Sequence, residues 1–251
     1  MNNGFVAIAA LLLFGCCCQT IGQPPALTPA LACEKTKDAD MMNWCLGAVN
    51  LDSGYCDKIV DPGGSKGQKS NCYFIVGIRN KDSDVCQHVT KPEDMNGCLA
   101  IAEGNVSRCD ILEDGYKETC IKYFAAFTLN SEPCANLSGK QNCYEMVARY
   151  SDDASTCEMD ASSNNSGCYY NVAVHAMDSS VCEQVSDADS KSTCLAITKN
   201  DTSLCPSGAN HNSCLGYAAM SNGDYEGCIS ATGNADQCYF YIATKGKERF
   251  F

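Results

Sequence analysis

The stretch "AMDSSVCEQVSDADSKSTCLAITKNDTSLC", residues 176–205, carries a phrase that returns along the chain: Asp, three residues, Cys, a polar loop, then Cys with apolar residues behind it. The 18 cysteines from Cys33 onward alternate between two types. In the first type, Cys56, Cys86, Cys109, Cys134, Cys157, Cys182, Cys205 and Cys228 each follow an Asp or Asn by four residues: Asp52, Asp82, Asn105, Asn130, Asp153, Asp178, Asp201 and Asp224. Such side chains are favoured helix N-caps, because their oxygen accepts a hydrogen bond from an orphan N–H of the first turn. A short helix is therefore expected at each, with the cysteine in its first turn. Cys33 is of the same type without the cap, since Pro29 stands there. An apolar residue often follows three positions later, as Ile59, Val89, Leu112, Leu137 and Val185, on the cysteine's own face.

The second type, Cys45, Cys72, Cys98, Cys120, Cys143, Cys168, Cys194, Cys214 and Cys238, opens a longer helix, as in "CYFIVG", "CYEMVA" and "CYFYIA". Apolar residues directly after the cysteine and again four and five positions on make one helical stripe. Lys69, Lys117, Lys140 and Lys191, three residues before their cysteines, fall outside that stripe and read as solvated. From a second-type cysteine to the next first-type one the spacing is 14 or 11, a difference close to one helical turn. Within a unit it varies from 9 to 16, in Gly, Ser, Asn and Lys, which marks a loop. The chain thus reads as an all-α solenoid of nine helical hairpins, two short helices per repeat, with no sheet.

Helix geometry favours pairing within a unit. The first cysteine lies about four or five residues, roughly 7 Å, before the hairpin loop and the second about four residues past it, so the two stand level across an antiparallel pair. Pairing with the following unit would leave them at unequal heights. The expected bridges are Cys33 with Cys45, Cys56 with Cys72, Cys86 with Cys98, Cys109 with Cys120, Cys134 with Cys143, Cys157 with Cys168, Cys182 with Cys194, Cys205 with Cys214, and Cys228 with Cys238. A lone unit has too few apolar side chains to offset the ordering of its backbone. Only a stacked array, constrained by disulfides, is expected to be stable.

Composition bounds the function. With 21 cysteines in 251 residues, the chain reads as a disulfide framework and calls for an oxidising compartment. The formal net charge of −12 argues against a nucleic-acid partner, which needs a basic surface. Residues 1–18 read as a signal peptide with a lipoprotein-type box or an N-terminal anchor: "GFVAIAALLLFG" is an apolar run of signal length, and "LFGC" places Cys16 as a candidate lipid attachment site. The n-region "MNN" has no Lys or Arg, and Phe14 is atypical in the box. Residues 19–32 read as a Pro-containing tether, and residues 33–251 as the repeat domain.

The phrases "DSSVCEQV", "KSTCLAI" and "CYEMVARYSDDASTC" resemble a cysteine-paired helical repeat of exported or lipid-anchored archaeal proteins. The resemblance covers nearly all of residues 33–241, implies a repeat scaffold on the outer side of the membrane, and carries no activity with it. The chain departs from that pattern in "CPSGANHNSC" and "CEMDASSNNSGC", which lack the apolar residue, so the first helices near Cys205 and Cys157 are expected to be single turns.

The functional expectation is an exported or membrane-anchored scaffold or binding module without catalytic activity, its partner a surface protein or glycan, with the membrane met through the N-terminal lipid or anchor. A thiol-rich protein storing a soft, copper-type metal is the alternative, although no CxxC pair follows the signal and only His88, His175 and His211 are present. An extracellular enzyme is the third reading; no nucleophile, base and orienter stand together in the sequence. No resident cofactor or metal is expected. Trp44 reads as packing over the first unit, and Tyr73, Tyr144, Tyr169, Tyr170 and Tyr239 as core or inter-unit packing, with an exposed subset lining a concave face. Sequons make Asn105, Asn136, Asn164 and Asn200 candidate glycosylation sites.

Overall fold

A computed structural model describes residues 28–60, 67–159, 165–208 and 210–245; Cys16, the signal segment and Asn164 lie outside them. The described residues are all helix and connection, with no strand. Nine longer helices carry the second cysteine of each unit: α1 (Ala39–Asn50), α2 (Gln68–Asn80), α3 (Pro92–Glu103), α4 (Asp114–Thr128), α5 (Lys140–Ser151), α6 (Ser166–Ala176), α7 (Ala188–Lys199), α8 (His211–Asn222) and α9 (Ala235–Lys245). Each is preceded by a short helix, and five of these are 3-10 turns, from Val106–Ile111 to Thr202–Leu204. The chain forms nine disulfides, each within one hairpin: 33–45, 56–72, 86–98, 109–120, 134–143, 157–168, 182–194, 205–214 and 228–238. Their Cα–Cα separations run from 5.5 to 5.9 Å, within the range a disulfide spans without moving the backbone.

Several local details differ from the sequence expectation. The first short helix, Pro29–Glu34, reaches into the stretch read as tether: Pro29 opens it, where a missing N–H costs nothing, and Thr28 caps it by accepting from the Leu31 N–H at 3.2 Å. Second-type cysteines do not all open their helix. Cys45, Cys98 and Cys194, from the 11-residue spacing class, sit in the second turn of α1, α3 and α7, as Cys120 does in α4. Cys205 falls just past its turn, because Thr202–Leu204 ends one residue before it.

A further regularity lies at the other end of the long helices. Eight of them end in a left-handed residue: Leu51, Lys81, Gly104, Leu129, Asp152, Met177, Asn200 and Gly223. The next residue is the Asp or Asn of the repeat, and its N–H donates back five residues, from Asp52 to the Gly47 carbonyl, Asp82 to Gly77, Asn105 to Ala100, and so on to Asp224 and Ala219. This is the Schellman closure, which satisfies a carbonyl the helix end would otherwise strand. The accepting residue is always Gly or Ala, and it is where the next unit packs. A Cβ on Gly77 would stand 2.8 Å from Cys86 Sγ and 2.9 Å from Cys98 Sγ; one on Gly47 would stand 2.7 Å from Cys72 Sγ. Ala125, Ala148, Ala173, Ala196 and Ala219 each cluster with the disulfide of the following unit.

The array closes on itself. Helix α9 packs on both the first short helix and α1. At that seam Ala243 clusters with Cys33 and Cys45, so the last unit meets the first unit's disulfide through the same small position used at the other junctions. Trp44 stacks on Phe240 with centroids 4.5 Å apart, and the Lys37 N–H donates to Asp236 Oδ1 at 2.9 Å. Trp44 therefore covers the first unit by way of the last one.

Two substitutions test these contacts. Ala is ordinarily better than Gly inside a helix by about 0.5–1 kcal/mol, yet Gly77→Ala is expected to destabilise by about 1–3 kcal/mol through overpacking against the 86–98 bridge; a rise in stability in a urea titration would contradict the contact. Phe240→Ala is expected to cost about 3–5 kcal/mol and to shift the emission of Trp44, the chain's one tryptophan, to the red as water enters the seam. Unchanged emission would mean that the seam does not enclose Trp44.

Candidate functional site

Residues two units apart come into contact, and this creates a surface that no single repeat encodes. Gly97 of α3 has no side chain to fill its place. Phe74 from α2 therefore meets Tyr123 and Phe127 from α4 over the top of α3, at centroid distances of 6.1 and 6.3 Å in edge-on geometry. The rings continue from Phe127 to Tyr150 of α5, stacked at 5.4 Å, and from Tyr150 to His175 of α6 at 6.2 Å. Edge-to-face and offset arrangements of this kind suit the ring quadrupole. Arg149 lies over the Tyr150 ring at 4.8 Å and donates to its hydroxyl at 3.0 Å. His175 Nδ1 and Asp152 Oδ1 stand 2.8 Å apart, tying the ends of α6 and α5.

Two clefts flank this aromatic run. One, of about 630 Å³, lies at the C-terminal ends of α2, α3 and α4, with Ile101, Ala102, Phe127 and Leu129 among its lining. Two of the three charged groups there are engaged: Arg79 donates to the Ala48 carbonyl, and Glu103 takes a two-pronged pair from Arg108, while Lys81 is exposed. The other, of about 200 Å³, lies between α3 and α4 and is lined by Phe74, Tyr116, Tyr123, Lys91, Glu93, Asp94 and Thr119. Burial raises the Asp94 carboxyl above its usual range, and Lys91 offsets this only in part. Burial, then the Asp94 charge, raises the Tyr123 phenol.

The tyrosines behind the second-type cysteines divide. Tyr73 and Tyr144 are buried. Burial, with a hydrogen bond to Asp57, pushes the Tyr73 phenol up to about 12. Tyr169, Tyr170 and Tyr239 are half-buried, and Tyr239 packs on Tyr225 at 5.1 Å. Three of the four lysines read as solvated instead reach back across their hairpin: Lys69 to the Asp57 carbonyl, Lys117 to Asp110 and Lys191 to Glu183. Among the described residues no cluster of three or more His, Cys, Asp or Glu is placed to hold a metal, and no helix is long and apolar enough to cross a membrane. Asn136 and Asn200 are exposed; Asn105 uses its oxygen to accept from the Ser107 N–H at 3.1 Å.

Asp52, Asp82, Asn105, Asp201 and Asp224 cap their short helices through the side-chain oxygen. Asp153 holds the Ser155 N–H directly before its 3-10 turn. At Asn130 and Asp178 the cap position passes to Ser131 and Ser180. Their oxygens accept from the N–H two residues on, at 3.0 and 2.9 Å, in the same Asx turn that Asp52, Asn105 and Asp201 make. The hydroxyls and N–H groups of Ser155, Ser180 and Ser203 hold the carboxyls of Asp153, Asp178 and Asp201 below the usual range. A depressed folded pKa gives stability that is present above the unfolded value of about 3.9 and lost as pH falls through the folded value. The melting temperature should therefore drop in acid below about pH 4, and more shallowly in Asp178→Asn, which keeps the acceptor and cannot titrate; parallel acid slopes would remove Asp178 from the account.

Compared with known proteins, the chain matches no family model, no curated protein and no solved structure.

Proposed function

We propose that this protein is an exported, membrane-tethered surface scaffold that binds its partner through the aromatic face, without chemistry of its own. The observation that carries the reading is the use of all 18 described cysteines in disulfides that form the core. Bridges in that number persist only where thiols are not kept reduced. The likeness of the repeat to those of exported or lipid-anchored archaeal proteins points the same way, as does the apolar run ahead of Cys16. Lipid on Cys16 would hold the array at the outer face of the membrane, since buried acyl chains contribute about 0.8 kcal/mol per CH₂. The acidic surface favours solubility and works against nucleic acid as a partner.

Two measurements test it. The intact mass of the non-reduced repeat region, taken with thiol titration, is expected to lack 18 hydrogens relative to the reduced chain and to show no free thiol. Eighteen free thiols would overturn the reading in favour of soft-metal storage. Expressed with its own N-terminus, the protein is expected in the membrane fraction, accessible from outside, and Cys16→Ser is expected to release it. A wild-type protein that stays inside the cell would sink the surface assignment.

A further inference from the structure

We propose that the cleft between α3 and α4 binds one ring of a neutral sugar, as a residue of an uncharged glycan. This rests on the reading of the aromatic side as a binding face and names the ligand class for one part of it.

The walls are aromatic and available. Tyr116 and Tyr123 lie seven residues apart, two turns along one side of α4, and are 51% and 37% exposed. Phe74 closes the corner, inclined 64° to Tyr123. Gly97 opens the floor, so the rings stand around a space rather than packing on a side chain. The faces of such rings carry negative charge density and take the C–H groups on the apolar side of a pyranose.

The rim supplies what a polyol needs. Lys91 donates, Glu93 and Asp94 accept, and the Thr119 hydroxyl, whose proton goes to the Gly115 carbonyl at 3.1 Å, is left to accept. A sugar hydroxyl is donor and acceptor together, so one neutral ring can satisfy both kinds of group, whereas an anion or a cation can satisfy only one. Lys91 and Asp94 meet at only 3.9 Å, with their side chains 61% and 39% exposed, so neither is committed to the other. Asp94 lies in the first turn of α3, where the helix dipole favours a carboxylate, yet burial still raises its pKa. With its side chain 39% exposed and Lys91 no nearer than 3.9 Å, it can accept from a ligand's hydroxyls. At about 200 Å³ the cleft suits a single ring and not a folded peptide segment. The larger cleft nearby has a largely aliphatic floor, and its Arg79 and Glu103 already hold other groups.

The test is titration of the oxidised protein, followed by NMR, with methyl glucoside, methyl mannoside, methyl galactoside and N-acetylglucosamine, and with choline and sulfate as charged comparators. At least one neutral sugar is expected to perturb Tyr116, Tyr123 and Asp94 in a saturable way, and sulfate none of them. Tyr123→Ala and Asp94→Asn are expected each to weaken that binding tenfold or more while Trp44 emission stays unchanged, which reports an intact seam. Saturation by choline alone would overturn the sugar assignment in favour of an organic cation. No saturable response, or sugar affinity unaltered in Tyr123→Ala, would overturn it as well. None of these failures alters the oxidation state or the location read by mass and fractionation, so the two readings fall separately.

Discussion

The structure depends on one contact repeated around the array: the disulfide of each unit lies against a glycine or alanine on the preceding long helix. A sulfur pair is bulky and rigid, so the helix facing it must present almost nothing. Every cysteine from Cys33 to Cys238 is buried, and none is more than 9% exposed. The bridges are therefore core residues first, filling the space that aliphatic side chains fill in larger helical repeats, and covalent constraints second. Short helices of one turn cannot supply such a core themselves, and their stability comes from the packing they take part in.

Placement of the small residue also explains why the Asp or Asn of the repeat is so regular. Five residues after the small position, its N–H returns to that residue's carbonyl and closes the long helix, while at most junctions its side-chain oxygen opens the next short one. One residue thus fixes both the end of a helix and the direction in which the chain leaves it. Since the accepting carbonyl belongs to the residue under the next disulfide, the turn geometry and the inter-unit packing are set at the same point.

Much of this was legible because it is local and periodic. The cap, the two cysteine types and the hairpin loop recur within a window of about one unit. The small position was not, because it falls two residues after the cysteine in "CLG" and "CLA" and five after it in "CYFIVG" or "CYEMVA"; it is constant only when counted back from the Asp or Asn. The contacts of Lys69, Lys117 and Lys191 were missed because they cross the loop, where spacing varies. Closure had no periodic signature at all. Trp44 and Phe240 are 196 residues apart, and their stacking follows from how the units between them stack.

Closure changes what the scaffold must provide. An open solenoid leaves two apolar ends and needs polar capping repeats; here Ala243 meets the Cys33–Cys45 bridge, and each end is the other's cap. Side chains from α2 and α4 also meet over α3, so the aromatic face is a product of how the units stack. Three residues before the small position, the chain carries Trp44, Phe74, Gly97, Lys122, Glu145, Tyr170, Thr193, Gly216 and Phe240. The junction tolerates only Gly or Ala, while the position one turn away accepts nearly anything. A frame held constant at the disulfide and free one turn later can vary its inner surface without altering its fold, and the aromatic run over Gly97 is the place where that freedom has produced a cleft.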